Sequence, residues 1–203
     1  MAVEGRRIRG LDAEQRREQR RQQLLDSALA LFAEHGYHNT SIEQICQHAY
    51  VGTKGFYEIF KGREDCYLAL VQQVSEQIKA EVTERLAADP DERALISAFA
   101  HALIDDPRRA LVTFGQASGV SPAVERLRRA NRRWAARFVE SVWSRHGVPP
   151  RDDLHPIAIG LVGGLFDLVA DWLVDGDPAD VEGLIHSLDR FYGVVRAGVA
   201  PED

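Results

Sequence analysis

Apolar side chains recur along this chain with a helical period. In the first clear segment, about residues 16–35, they lie three, four and seven positions apart along one face: Leu25, Ala28, Leu29 and Phe32. This spacing aligns side chains on one side of a helix, whereas a half-buried strand alternates apolar and polar residues. Valine and isoleucine rarely alternate with polar residues here. The pattern predicts an all-α fold.

Two short helices are predicted after this segment. Gly36 ends the first helix, because glycine tolerates the positive φ that is common just past a helix C-terminus. Asn39–Ser41 is a cluster of N-cap residues that can begin one short helix, and a second is predicted at about Thr53–Phe60. Two short helices joined by about four residues, after a longer helix, have the dimensions of a helix-turn-helix. We place this motif at about residues 41–60.

The remaining chain predicts a larger helical domain. A long helix is expected at about residues 63–87. Proline and glycine breaks separate the later helices, expected at about residues 91–104, 107–117, 122–146, 153–175 and 179–198. The predicted organisation is a disordered arm at residues 1–15, a helix-turn-helix domain at 16–66 and a helical domain at 67–203.

Composition favours a globular protein of the reducing cytoplasm. The chain has 203 residues, of which 45% are hydrophobic, so it can bury a sizeable core. Its two cysteines lack metal-binding spacing and are too few for a secreted disulfide framework. We expect no signal peptide, because no apolar run follows the N-terminal arginines. The most apolar stretch, Ile157–Leu173, is interrupted by Asp167 and Asp171 and predicts a buried helix rather than a membrane span.

The net charge of -6 is unevenly distributed. Residues 1–25 hold seven arginines against four acids, and residues 1–67 balance at ten and ten. Residues 68–203 hold fifteen bases and twenty-one acids. A DNA-binding head on an acidic body has this distribution, although an ordinary scatter of charge accounts for it equally well.

The last two helices predict a dimer interface. Residues 157–173 are apolar nearly all round and include three glycines, which would allow close approach of a neighbouring backbone. The final helix offers a matching apolar stripe. Two such helices from each of two chains would form a four-helix interface, for which we expect Gly160, Gly164, Leu184, Leu188 and Phe191. The alternative is that both helices belong to one monomeric core.

One stretch, Leu24–Leu70, carries a family resemblance. Its residues include Ala28-Leu29-Ala30-Leu31-Phe32, Gly36-Tyr37, Thr40-Ser41-Ile42, Ile45, Val51, Phe56-Tyr57-Glu58-Ile59-Phe60 and Arg63-Glu64. This pattern resembles the TetR family of bacterial transcriptional regulators. The resemblance implies a homodimer that binds a palindromic operator on double-stranded DNA, usually as a repressor. It also implies that residues 67–203 bind a small effector and dimerise.

Three positions depart from the family pattern. Tyr50 stands where the family usually has glycine, and a bulky residue at positive φ is strained. We therefore expect Gly52 to let the turn close differently, and Thr53 to cap the following helix where the family commonly has serine. Arg63 replaces the usual lysine and keeps its charge.

The predicted recognition helix has an inner and an outer side. Phe56, Ile59 and Phe60 would face inward. The outer residues would enter the major groove, where lysine can donate to guanine and threonine can contact a base edge: Thr53, Lys54, Gly55 and Tyr57. Tyr57 is assigned a phosphate or base contact by the resemblance. Glu58 would have to point away from the groove or accept from cytosine.

Phosphate contacts are predicted around this helix. Thr40 and Ser41 lie at a helix N-terminus, which suits phosphate through hydroxyls and free N–H groups. Lys61 and Arg63 would hold the DNA backbone on the flank. Further cations on or before the first helix are Arg16, Arg17, Arg20 and Arg21. For each of these residues the alternative is an ordinary solvated side chain or, for Tyr57, a core position.

An effector pocket is expected among the helices between about residues 91 and 175. Aromatic residues with a few polar groups are typical of apolar ligand sites, and our candidates are Phe99, Phe114, Gln116, Trp134, Phe138 and Trp172. We expect a small, largely apolar molecule to release the DNA, although an aromatic stripe is also typical of plain core. A basic run at 126–137 is interpreted as a solvated, ion-paired helix rather than a second nucleic-acid surface.

No catalytic pattern accompanies these features. The sequence has no glycine-rich phosphate loop, no Cys-x-x-Cys and no His-Glu-x-x-His. We therefore predict neither an enzyme nor a bound cofactor or metal. The alternative to a DNA-binding regulator is an all-helical small-molecule carrier or adaptor without specific DNA binding.

Overall fold

The structure, a computed structural model, describes residues 12–88, 91–92, 94–115, 120–175 and 180–200. These residues form helices and no strand, which confirms the all-α prediction. The helices are α1 (Ala13–His35), α2 (Ile42–His48), α3 (Thr53–Tyr57), α4 (Arg63–Ala88), α5 (Ala94–Ile104), α6 (Pro107–Ala110), α7 (Pro122–Arg145), α8 (Leu154–Asp175) and α9 (Val181–Gly198). The chain divides into two compact units, Met1–Val71 and Gln72–Asp203.

Helix α1 begins earlier than its apolar pattern suggested. Asp12 accepts from the backbone N–H of Gln15, and the Gln15 side chain accepts from the backbone N–H of Asp12 at 3.0 Å. This capping box satisfies helix N–H groups that would otherwise lack partners. The prediction of a disordered arm through residue 15 is therefore wrong at its C-terminal end. Residues 1–11 lie outside the described part of the chain.

Aromatic packing holds the first unit together. The rings of Phe32 and Tyr67 meet edge to face with centroids 5.1 Å apart, and Tyr37 lies 5.0 Å from Tyr67. All three side chains are buried. They join α1, the α1–α2 loop and the start of α4, and edge-to-face pairs add to the free energy gained by burial alone. The short helices α2 and α3 thus sit on a scaffold with a rigid aromatic core.

Helix α8 is the centre of the second unit. It packs along α7 on one side and α9 on another, and its buried side chains include Ala158, Leu161 and Val169. Helix α6 continues directly into a π-helical turn at Leu111–Gly115, which also packs on α8. The sequence predicted one helix over 107–117, of which residues 116 and 117 lie outside the described chain.

A buried polar network ties the ends of this unit together. The indole N–H of Trp143 donates to the Tyr192 hydroxyl at 3.0 Å, and that hydroxyl donates to Glu92. Arg196 donates to the same carboxylate oxygen at 2.6 Å and to the carbonyl of His146 at 3.2 Å. The network connects α7, α9 and the segment before α5. It leaves the polar atoms of a fully buried tryptophan and a buried tyrosine satisfied.

Among the described helices, α8 is long and apolar enough to cross a membrane, judged by length and composition only. Its apolar stretch, Leu154–Val174, is 28% buried within the chain. Core helices of soluble proteins meet the same criteria, so the observation is weak support for a membrane span. Most other apolar side chains of α8 are partly buried against the core, and Val174 is 71% exposed.

Candidate nucleic-acid interface and ligand cavity

In the turn between α2 and α3, Tyr50 is the residue with a positive φ. This residue has φ 54°, in the left-handed region, and its side chain is 97% exposed. Gly52 is extended, with φ -64° and ψ 150°, so the expectation that Gly52 would close the turn is wrong. Thr53 is the first residue of α3 rather than its cap, and Gly52 before it supplies no side-chain hydrogen bond. The non-glycine residue therefore carries the positive φ, a conformation that sterics disfavour.

Helix α3 has one buried side and one open side. Phe56 is 0% exposed, and its ring lies 5.5 Å from that of Phe60. On the other side Thr53, Lys54 and Tyr57 are exposed, and Tyr57 retains 56% of its accessible surface. The inner phenylalanines anchor the helix and leave the opposite side chains to solvent.

Gly55 permits close packing behind the open side. A Cβ atom added there would lie 3.0 Å from Cγ1 of Val51. Val51 is buried in the turn, so it has little room to shift. The absence of a side chain at Gly55 therefore allows α3 to lie directly against the turn residue.

Glu58 turns back toward α1. Its carboxylate forms an ion pair with Arg20 at 3.3 Å, and its carbonyl accepts from Arg17 at 3.4 Å. Both contacts are exposed, so the ion pair itself stabilises the fold little. These contacts orient the Glu58 carboxylate, which they hold beside the α1 arginines and away from Lys54 and Thr53. This pairing answers the difficulty that an acidic residue poses in a recognition helix.

Thr40 is a structural residue rather than a phosphate contact. Its side chain is 0% exposed, and its hydroxyl donates to the carbonyl of Gly36 at 2.8 Å, with the Leu31 carbonyl at 3.2 Å. The predicted hydroxyl contact to DNA is therefore wrong. Ser41 is only partly buried and forms a capping box with Gln44 at the start of α2. Its predicted phosphate contact stays a prediction.

The Arg63 side chain contacts other residues of the same chain. Its Nη1 donates to the carbonyls of Thr40 at 2.9 Å and His38 at 3.3 Å, and its guanidinium carbon lies 4.5 Å from the centroid of the Tyr37 ring. The side chain thereby fastens the α1–α2 loop to the start of α4. Lys61, by contrast, is exposed, and only its backbone N–H is used, by Asp65 at 2.9 Å. Of the two flanking cations, Lys61 is the one that the structure leaves exposed.

The two cysteines are buried in the first unit. Burial raises the pKa of the Cys66 thiol to about 12, and burial also raises the pKa of Cys46. Neutral buried thiols are poor nucleophiles and poor metal ligands. Among the described residues no group of three or more histidine, cysteine or acidic side chains could hold a metal ion.

A cavity opens inside the second unit. It has about 730 Å³ of empty space, its mouth included, and is walled almost wholly by hydrocarbon from α4, α5, the π turn, α7 and α8. Four of the residues predicted for an effector pocket line this cavity: Phe99, Phe114, Trp134 and Phe138. Trp172 is half-buried and does not line it. Whether an effector binds here stays a prediction. Gln116 lies outside the described residues.

Sequence reasoning missed the polar members of the wall. Ser75 and Asn131 bond to each other, Nδ2 to Oγ, at 2.8 Å. Thr113 of the π turn also lines the cavity, and Lys79 lies at the wall with its amine over the Trp134 ring. No local pattern marks these positions, because only the packing of separate helices brings them together.

The predicted dimer residues divide between core and surface. Leu184 is 4% exposed and Leu188 is 0% exposed, so both are core residues of a single chain and their assignment to an interface is wrong. A Cβ atom added at Gly164 would lie 2.6 Å from the Phe191 ring of the same chain. That close approach is therefore intramolecular. At Gly160 an added Cβ would meet nothing within 4 Å, so this glycine faces open space.

A family model confirms the resemblance of the first unit. The model described as bacterial regulatory proteins of the tetR family matches residues 24–70. Over these residues the chain is similar to the helix-turn-helix domain of TetR-family regulators. The likeness supports a transcription regulator with a DNA-binding helix-turn-helix. The DNA contacts assigned to the outer side of α3 stay a prediction.

TetR-like relatives extend the similarity over most of the chain. It is 25% identical over 179 residues to the transcriptional activator FasR of Mycolicibacterium smegmatis, covering 86% of this chain and 82% of that protein. A TetR-family regulator from Syntrophomonas wolfei superposes with a TM-score of 0.75 at 22% identity, covering 92% and 99% of the two chains. Thermus thermophilus FadR, a repressor in complex with lauroyl-CoA, superposes with a TM-score of 0.65 at 19% identity, covering 90% and 96%. These structures share the fold of both units.

Proposed function

We propose that this protein is a dimeric repressor of the TetR family that binds a palindromic operator and is released by a small, largely apolar effector. The observation that carries the proposal is the two-sided helix α3, whose buried Phe56 holds Thr53, Lys54 and Tyr57 toward solvent. A helix of this kind reads base edges when its outer side enters the major groove. Lys54 donates to guanine in this proposal, and Tyr57 contacts a phosphate or a base.

The phosphate contacts that we propose flank α3. Ser41 and the N-terminus of α2 accept one phosphate, and Lys61 binds another. Arg20 and Arg17 are engaged with Glu58, so their part is to fix the acid and add positive charge near the groove. Such contacts position the protein but carry no sequence information.

Dimerisation is proposed through the open surface of α8 and α9. The support is apolar residues without cover in one chain: Val174 is 71% exposed and Val194 is 68% exposed. Gly160 opens on the same helix as Val174. A two-fold axis at this surface would present two recognition helices to half-sites roughly 34 Å, one helical turn, apart.

The effector site proposed is the cavity of the second unit. Its hydrocarbon wall suits an apolar molecule, and the lauroyl-CoA bound by the Thermus relative contains a long apolar chain. The wall includes Ile78 and Val82 of α4, the helix that begins in the DNA-binding unit. Release requires that the effector has a higher affinity for the conformation that cannot bind the operator than for the conformation that can.

In vitro selection of bound DNA tests the proposal as a whole. We expect a two-fold symmetric motif bound by two chains, and a reporter gene carrying it should be silenced. Gly160→Arg should leave the protein folded but monomeric and weaken operator binding, whereas Ser144→Arg on exposed α7 serves as the control. Recovery of no enriched sequence, together with binding of apolar molecules, would favour a carrier instead.

A further inference from the structure

One residue that lines the cavity has a buried polar atom without a partner. Thr113 is 7% exposed, and its hydroxyl is the buried side-chain atom of the described residues for which no hydrogen bond is found. It lies on the π-helical turn Leu111–Gly115, within the wall of the cavity. A buried hydroxyl without a partner destabilises a protein, so its presence beside a largely apolar cavity needs an explanation.

The other polar groups of the wall already have partners. Asn131 and Ser75 bond to each other at 2.8 Å. The amine of Lys79 is paired with Glu76 at 2.7 Å and lies 5.2 Å from the centroid of the Trp134 ring. Lys79 is the ionisable residue of the wall, and its charge is balanced. An anionic ligand would have to share the Lys79 ammonium with Glu76, and it would lose its own hydration on entry.

Aromatic rings form much of the remaining wall. Phe166 stands between two neighbours, with its ring 5.8 Å from Phe99 and 4.5 Å from Phe114. Trp134 and Phe138 stack in parallel at 5.2 Å. Rings arranged in this way offer flat faces and edges to another ring or to a branched hydrocarbon. Phe114 also adjoins Thr113, so the hydroxyl and the aromatic surface belong to the same end of the π turn.

We propose that the cavity takes an uncharged, mostly hydrocarbon molecule carrying one hydrogen-bond acceptor, such as a ketone or ester oxygen, and that the Thr113 hydroxyl donates to it. The inference rests on the effector site proposed above and names the chemistry of its ligand. Thr113 selects for the acceptor, the aromatic wall binds the hydrocarbon, and the neutralised Lys79 disfavours acids. A buried donor discriminates between ligands, because a ligand that lacks the acceptor leaves the hydroxyl unpaired.

A matched set of three probes tests this chemistry. The molecules 4-phenylbutan-2-one, 3-phenylpropanoate and isopentylbenzene have nearly the same shape and differ in being a ketone, a carboxylate and a hydrocarbon. Their binding to the full chain, without DNA, can be measured by calorimetry or ligand-observed NMR. Thr113→Val removes the hydroxyl at nearly constant volume, and Thr113→Ser keeps it. Thr83→Val is the control, because that hydroxyl is exposed and bonds to the Lys79 carbonyl outside the wall.

We expect Thr113→Val to lower the affinity for the ketone about three- to tenfold, as the loss of one neutral hydrogen bond predicts. The affinity for the hydrocarbon should stay the same or rise slightly. Thr113→Ser should keep most of the ketone affinity. The ratio of the ketone affinity to the hydrocarbon affinity is measured on one sample of each variant. A partly unfolded sample lowers both apparent affinities alike and leaves their ratio unchanged. Without ligand, Thr113→Val should melt no lower than the wild type.

Three results would overturn the proposal. They are an unchanged ketone-to-hydrocarbon ratio in Thr113→Val, tighter binding of the carboxylate than of the ketone, and no binding of any of the three probes. Each of these is independent of the DNA-binding role, which operator selection without any ligand establishes or refutes on its own. A protein that binds the ketone through Thr113 but no operator would instead sustain this inference and refute the repressor.

Discussion

The two units of this protein use polar groups in opposite ways. In the first unit, polar side chains that must not meet DNA are tied down, as Glu58 is by Arg20 and Thr40 is by the Gly36 carbonyl, while Lys54 is left exposed. In the second unit the cavity keeps Thr113 inside and unpaired, among walls of hydrocarbon. The first unit exposes its polar side chains on a surface that a packed core supports. The second unit holds a polar residue at a cavity within its core.

This difference decides what the sequence alone can predict. Gly36, Ser41 and the pair Phe56 and Phe60 act locally, through caps and spacing, so the helix-turn-helix and its buried side could be predicted from residue order. A cavity arises where several helices fail to fill space, and no single stretch encodes it. The aromatic wall residues could be named because they are large. Thr113 could not, because a π turn shifts its direction relative to an ordinary helix.

Two other failures have equally specific causes. The apolar stripe of α9 was predicted correctly as a stripe, but periodicity does not tell whether its partner is the same chain or another, and Leu188 proved to be core. At Tyr50 the rule that a tight turn requires glycine does not hold, because a tyrosine takes φ 54° there. In α9 a tertiary contact decides what periodicity leaves open.

Removing the anchor of α3 should have the largest effect on the first unit. Phe56 is 0% exposed, so Phe56→Ala should lower the free energy of unfolding by about 3–5 kcal/mol, from lost burial and the cavity left behind. Urea denaturation measures it. Tyr57→Ala, next to it but 56% exposed, should change stability little. Similar losses in the two variants would show that α3 has no distinct buried side.

The polar network of the second unit should be the next most sensitive feature. Tyr192→Phe removes the hydroxyl that bonds to both Trp143 and Glu92, and should cost about 1–3 kcal/mol because buried groups lose their partner. Burial and Glu92 raise the pKa of Tyr192 above its ordinary value. A raised pKa in the folded state means that stability is full below about pH 10, the ordinary tyrosine pKa, and falls as the pH rises beyond it.

Stability measured from neutral to alkaline pH tests this assignment. The wild type should lose stability above about pH 10 more steeply than Tyr192→Phe, because the variant has no hydroxyl to ionise. Tyr57→Phe, at an exposed tyrosine, is the control and should follow the wild type. Parallel curves for wild type and Tyr192→Phe would refute a role for this hydroxyl.

Arg63 separates structural from DNA-binding cations. Arg63→Ala should lower the free energy of unfolding by about 1–2 kcal/mol, since two backbone carbonyls lose their donor. The salt dependence of DNA binding should keep its slope. Lys61→Ala should do the reverse, with stability unchanged and the slope reduced by about one unit. If Arg63→Ala instead reduced the salt dependence of DNA binding without loss of stability, Arg63 would be a phosphate contact.

The smallest expected effect is a gain. Tyr50→Gly relieves a left-handed backbone and gives up little packing, because the side chain is 97% exposed. It should raise the free energy of unfolding by about 0.5–1 kcal/mol, after the greater entropy of unfolded glycine is subtracted. Denaturant titration beside Tyr50→Ala, which keeps the strain, measures the difference. A destabilised Tyr50→Gly would mean that the tyrosine side chain makes a stabilising contact.

The most direct test of the central claim, that the outer side of α3 reads DNA, is the affinity of Lys54→Ala for the selected operator and for random DNA. We expect a loss of about 1–3 kcal/mol on the operator and a much smaller loss on random DNA. Arg129→Ala, at an exposed cation of α7 paired with Glu125, should bind both as the wild type does. Unchanged operator affinity in Lys54→Ala would contradict the account.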